Sequence, residues 1–182
     1  MKAIFFDIDG VLNSSRSVLA PMYEGRDNPL RDIVYGAKLG VIGNMALRTV
    51  DIVAVGLLMR LIRESDAHIV LCSSHREFLT DDVDYGSPQH ITRLNKYLED
   101  MHIKGGIDGV TPVLHGPRGR EVQAYVIEHE IDEYVILDDS ADFLPGQPHI
   151  KVDPNVGLSA ENYYEACKLL GIATSPILTI GG

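Results

Sequence analysis

Tryptophan is absent from this chain, and cysteine occurs only twice in 182 residues, at Cys72 and Cys167. Two isolated cysteines make neither a disulfide framework nor a zinc site, so both read as buried free thiols that take no part in chemistry. Long hydrophobic runs are lacking too. No apolar stretch approaches the roughly 20 residues of a membrane span, and the opening MKAIFFDIDG is broken by two aspartates, which is wrong for a signal peptide. The chain therefore reads as cytoplasmic, with no membrane partner. Positive charge is scarce as well: 16 Lys and Arg face 26 Asp and Glu, a formal net charge of -10. Such a balance disfavours strong nonspecific attraction to a polyphosphate backbone. Part of the excess acid is available to bind a cation.

What is present is ordinary for a globular domain, with 45% hydrophobic and 23% charged residues. The length suits a single domain, 1–182, with one site. Short β-rich runs at 2–6, 68–72, 134–137 and 149–152 alternate with helical patterns, the signature of an α/β fold with a parallel sheet. Residues 51–64 predict a helix buried on most sides, with Thr49 as its cap. Ser87 and Pro88 announce a second helix that buries Ile91, Leu94, Leu98 and Met101. A third carries Val122, Tyr125, Val126 and His129. Ser159 caps a fourth, ending before Gly171, with Leu158 and Tyr163 placed as a hydrophobic staple. Residues 13–48 mix Ser, Pro, Gly and both charges and read as a lid or cap insertion. Residues 77–86 and 104–117 read as loops.

Four pieces of sequence carry chemistry. In FFDIDGVLN, residues 5–13, a strand runs into Asp7 and Asp9, and Gly10 then lets the chain turn. Open α/β sheets place their sites at such strand ends. Alone, Asp-x-Asp is more readily a pair of solvated aspartates in a turn. A second strand ends in Asp138 and Asp139, and four carboxylates gathered at adjacent strand ends would repel one another without a cation; hard oxygen donors suit Mg²⁺. Two unrelated acidic turns would need the sheet to hold these strands apart. The third piece, VLCSSHR, places Ser73, Ser74, His75 and Arg76 after a strand, where hydroxyl, amide and guanidinium groups can meet an anion. The fourth, GPRGREV, sets Arg118 and Arg120 at a helix start, so helix amides and a cation could face the same anion. Ser-Ser turns and arginines at helix starts are each commonplace in isolation.

Taken in order, these pieces resemble the four motifs of haloacid dehalogenase superfamily phosphatases: Asp7-Ile8-Asp9-Gly10-Val11, Ser73, Arg118 with Arg120 as the alternative, and Asp138-Asp139. The stretches Gly109-Val110-Thr111-Pro112, Arg118-Gly119-Arg120-Glu121, Val152-Asp153-Pro154 and Gly157-Leu158-Ser159 look like a narrower group, the small phosphatase-like domains associated with RNA-repair proteins. His75 stands where that group is expected to have Trp.

The resemblance implies a Rossmann-like three-layer sandwich around a mainly parallel sheet. It also implies a Mg²⁺-dependent phosphomonoesterase in which Asp7 attacks phosphorus and Asp9 moves the proton. Ser73 and Arg118 would hold phosphoryl oxygens, and Ser74, His75, Arg76 and Arg120 would lie on the substrate side. The metal would be held by Asp7, the Asp9 carbonyl and Asp139, with Asp138 behind them. The implied substrate is a nucleotide or a nucleic-acid terminal phosphate. Alternatives are another small phosphometabolite, a phosphotransferase or dehalogenase on the same fold, and a catalytically idle binding module. The intact acidic cluster argues against a dehalogenase, which needs no metal. The full motif set argues against idleness.

Overall fold

The computed structural model describes residues 1–15, 50–100, 103 and 105–174. Strand β1 is Lys2–Phe6, followed by helix α1 at Ile52–Ser65, β2 at His68–Leu71 and a 3-10 turn at Ser74–Glu77. Helix α2 spans Pro88–Asp100, β3 Gly109–Val110, α3 Arg118–Glu128, β4 Glu133–Asp138, β5 His149–Lys151 and α4 Ala160–Leu169. The proposed lid, 13–48, falls almost wholly outside the described residues. No helix among those described is long and apolar enough to cross a membrane.

The five strands form one parallel sheet in the order β3-β2-β1-β4-β5. Alternation along β1 explains the layers. Ile4 and Phe6 point to one face, where they join Leu58 of α1, Leu94 and Leu98 of α2, and Tyr163 and Ala166 of α4. Ala3 and Phe5 point to the other face and meet Val122 and Tyr125 of α3. Phe5 takes Tyr125 and Tyr134 edge-on, both at 5.6 Å between ring centroids, the geometry that opposes ring edge to ring face. The result is the expected α/β three-layer sandwich.

Handedness accounts for the distribution of helices. From β1 through α1, β2 and α2 to β3 the chain steps outward on one side. It then returns past β1 through α3 to β4, in the opposite direction. Right-handed crossovers in opposite directions require opposite faces, and α3 indeed packs on the other face from α1 and α2. The reversal leaves a crevice between the C-terminal ends of β1 and β4, where open α/β sheets bind ligands.

Two local expectations change. Thr49 lies outside the described residues, and the cap of α1 is Asp51, whose Oδ1 accepts from the amides of Val53 at 2.8 Å and Ala54 at 3.4 Å. Residues 104–117 are not loop throughout, because Gly109 and Val110 pair with Val70 and Leu71 as a short edge strand. Other start signals behave as read. The Ser87 hydroxyl accepts from the His90 amide at the start of α2, and Ser159 forms a reciprocal capping box with Asn162 on α4. Leu158 and Tyr163 are buried in the same cluster. Both cysteines are free and buried.

Candidate active site

Register places the acidic residues. Phe6 lies opposite Leu71 on one side and Leu137 on the other, and the ladder runs one step further through Asp7 N to Leu137 O at 2.9 Å. Asp7 and Asp138 therefore leave neighbouring strands at the same level, with Ser73 following β2 on the other side of β1. Both carboxylates are buried, Asp138 completely. Carboxylate oxygens of Asp7, Asp138 and Asp139 lie within 4.8 Å of one another.

Arg118 joins the first two. Its Nη1 donates to Asp7 Oδ2 at 2.6 Å and to Asp138 Oδ2 at 2.5 Å. Burial opposes the guanidinium charge, but the two carboxylates outweigh it and hold Arg118 firmly protonated. Burial raises the pKa of Asp138, and the charge of Asp7 raises it further; Asp139 is raised by the same two causes. Three carboxylates against one guanidinium leave two formal negative charges uncompensated. All-oxygen donors with that deficit fit a hard divalent cation.

Asp138 has little capacity left for it. Its Oδ1 accepts from the Ser140 amide at 2.8 Å, while Oδ2 takes Arg118 and lies 3.9 Å from Cys72 Sγ. Asp139 is the freer ligand. It rests against Gly10, which has φ +77° and where a Cβ would come 2.6 Å from the Asp139 Cγ. Only glycine gives both the left-handed backbone and the space.

Asp9 is held by different residues, Asn13 and His75. Its side chain is half exposed, yet both oxygens are held: Asn13 Nδ2 donates to Oδ1 at 2.7 Å, and His75 Nε2 lies 2.9 Å from Oδ2. The bond from His75 is the main reason its pKa falls below the usual carboxylate value; desolvation opposes the shift and Asn13 assists it. His75 is buried, with Nδ1 at 2.6 Å from the Tyr97 hydroxyl. Burial and the charge of Asp9 push the Tyr97 phenol up to about 12.

A model of the family described as "HAD domain in Swiss Army Knife RNA repair proteins" matches residues 3–163. The chain belongs to this family. Among solved structures, a haloacid dehalogenase-like hydrolase from Streptococcus pneumoniae aligns with 74% of this chain and 74% of its own, at 13% identity and a TM-score of 0.37. No curated protein matches the sequence. Family membership makes this a haloacid dehalogenase-type hydrolase domain.

Within the HAD domain the remaining candidates separate. Ser73 is fully buried, and its hydroxyl accepts from the His75 amide at 3.4 Å as the cap of the 3-10 turn. Ser74 and Arg120 are exposed. Arg76 is buried and turned inward: Nη1 donates to the carbonyls of Cys72 and Ser73, and Nη2 to Glu121 Oε2 at 2.6 Å. That orientation makes it a brace for the motif-two turn, where a substrate-side position was expected. The amides at the start of α3 are also occupied. Those of Arg118 and Gly119 donate to the Asp142 side chain at 3.2 Å and carbonyl at 3.1 Å, so the expected helix-terminal anion site is filled by the protein itself.

Asn13, Tyr97, Glu121 and Asp142 went unassigned in the sequence. Asn13 alone had a local signal, since its Oδ1 also accepts from the Gly10 amide at 2.9 Å and so closes the motif-one turn.

Proposed function

We propose that the domain is a phosphomonoesterase working through an aspartyl-phosphate on Asp7, with a nucleotide or nucleic-acid terminal phosphate as substrate. The observation that carries this reading is the buried Asp7 carboxylate, oriented by Arg118 and set beside Asp138 and Asp139 at the reversal point of the sheet. The Ile8 amide donates to Asp7 Oδ1 at 2.7 Å, and Arg118 holds Oδ2. Each oxygen keeps lone-pair capacity for attack.

In the first step an Asp7 oxygen forms a bond to phosphorus as the bond to the leaving oxygen breaks, and Asp9 gives that oxygen its proton. In the second, water attacks phosphorus and loses a proton to Asp9, and the bond from phosphorus to Asp7 breaks. The cycle ends with both aspartates as they began. Arg118 keeps Asp7 ionised and aligned, and the Ser73 turn supplies donors at the strand end for phosphoryl oxygens. Mg²⁺, held by Asp7, Asp139 and the Asp9 carbonyl with Asp138 behind them, would supply neutralisation of the carboxylates and of the phosphoryl charge.

The test is release of phosphate from p-nitrophenyl phosphate, mononucleotides and 3′- or 5′-phosphorylated oligonucleotides, with Mg²⁺ and with EDTA. Activity is expected only with the metal. Acid-quenched labelling is expected to place phosphate on Asp7 and to fail in Asp7→Asn. Label on Ser73 or His75, or full activity in EDTA, overturns the reading.

A further inference from the structure

His75 sits where the motif pattern leads one to expect an indole, and its contacts exceed those of a residue that merely fills space. It is 4% exposed, whereas the Asp9 side chain that it meets is 54% exposed. Its ring packs against Phe78, with centroids 5.0 Å apart, and against Tyr97 at 5.9 Å. Each ring nitrogen has a partner on a different element. Asp9 Oδ2 lies beyond β1, and the Tyr97 hydroxyl is on α2.

The roles follow from the partners. An ionised carboxylate only accepts, so in that state Nε2 carries the proton and donates to Asp9 Oδ2, and Nδ1 of the neutral ring accepts from the Tyr97 hydroxyl; when Asp9 holds the proton it gives to the leaving oxygen, that proton occupies a lone pair that neither His75 nor Asn13 uses. The chain Tyr97 O–H to Nδ1, Nε2–H to Oδ2 is complete without a spare donor. Asn13 grips Oδ1 of the same carboxylate from the opposite side. A half-exposed aspartate would otherwise distribute among several rotamers. Here two donors from separate elements select one orientation.

We infer that His75, braced by Tyr97, is a positioning residue that holds the Asp9 carboxyl in the orientation from which it passes a proton to the leaving oxygen. The inference rests on the proposed phosphatase chemistry and adds to it a residue outside the four motifs. A merely structural His75 would affect folding but not the dependence of rate on the leaving group. A positioning His75 affects that dependence, because proton donation matters most when the leaving oxygen is most basic.

The experiment compares kcat/KM for p-nitrophenyl phosphate and phenyl phosphate, a ratio that reports the step in which Asp9 gives up its proton. His75→Leu is expected to raise the preference for p-nitrophenyl phosphate about tenfold, within the range that general acid catalysis supplies. Tyr97→Phe, which removes only the brace, should raise it about threefold. His75→Gln, whose amide can still donate to Asp9, should return it to within about twofold of the unmodified domain. An unchanged ratio in His75→Leu and Tyr97→Phe overturns the inference; if His75→Leu does not fold, Tyr97→Phe alone decides. Should the unmodified domain hydrolyse neither ester and release no phosphate from mononucleotides or phosphorylated oligonucleotides, the phosphatase reading falls by itself. Nitrogen-15 NMR of the His75 ring then decides the geometry. A protonated Nε2 whose resonance moves in Asp9→Asn supports the contact, and a ring protonated only on Nδ1 overturns it.

Discussion

Replacing Glu121 by Gln tests whether Arg76 serves the fold or the substrate. The pair is almost wholly enclosed, with side-chain exposures of 5% for Arg76 and 6% for Glu121, and its atoms are 2.6 Å apart. Glu121 Oε1 also accepts from the Leu114 amide at 3.0 Å, so the glutamate ties α3 both to the loop before it and to the turn after β2. The substitution preserves volume and removes the charge. Arg76 is then left buried against the carbonyls of Cys72 and Ser73 and the Tyr85 hydroxyl without the charge of Glu121, and its Nε already has no acceptor among the described contacts. Stranding a buried charge in this way costs about 3–5 kcal/mol. For a chain of this size each kcal/mol lowers Tm by about 2–4 °C. A fall of roughly 6–20 °C is therefore expected, with a matching shift of the urea midpoint and an unchanged m-value. The double variant Arg76→Met with Glu121→Leu should recover much of the loss, since well-packed apolar side chains often replace a buried ion pair at little cost. Loss below about 1 kcal/mol, the value of an exposed pair, would refute the brace and return Arg76 to the substrate side.

Two further perturbations probe the acidic cluster. Asp9→Asn keeps the backbone carbonyl assigned to the metal and removes the proton carrier; calorimetric Mg²⁺ affinity should be unchanged while alkyl phosphates lose far more turnover than aryl phosphates, and equal losses on both would contradict the acid-base role. Gly10→Ala combines φ +77° with a Cβ 2.6 Å from Asp139 Cγ. The left-handed backbone costs about 1–2 kcal/mol, but displacement of Asp139 should weaken Mg²⁺ binding at least tenfold, and an unaltered Mg²⁺ titration would show that Asp139 is not a ligand.

The elements legible in the sequence were those whose signal is local. Strands β1 and β4 are apolar runs ending in aspartate, and the helices α2 and α4 begin at Ser87 and Ser159 with capping chemistry that the structure uses. Strand β3 has two residues, too few for a period of two to show, and it forms because Leu71 and Val70 offer an unpaired edge. The fate of Arg76 was hidden for a different reason. Sequence places a guanidinium at the end of β2, but which way it turns is set by Glu121, 45 residues later on the next layer. The Tyr97 brace and the Asp142 cap are likewise contacts across 22 and 24 residues. Local chemistry thus announced which groups gather at the sheet end, while their orientation came from tertiary packing.

The choice between Arg118 and Arg120 illustrates how packing resolves what spacing leaves open. Two residues along an α-helix are about 200° apart around its axis, so only one of the pair can face the carboxylates while the other faces away. The residue between them fixes which. A Cβ on Gly119 would lie 2.4 Å from the Leu144 amide nitrogen, so this position lies directly against the loop that follows β4, and Gln147 secures it by donating to the Gly119 carbonyl at 2.8 Å. With Gly119 seated there, Arg118 turns toward Asp7 and Asp138, and Arg120 is left exposed. Asp142 then takes the free amides at the start of the helix. The cationic contribution of α3 to the site is consequently the guanidinium of Arg118, already committed to two carboxylates, with no helix-terminal donors in reserve. An incoming phosphate dianion would meet a site whose own residues leave net negative charge. On the proposed phosphatase reading a bound divalent cation supplies the compensation, so the acidic cluster and that reading stand or fall together.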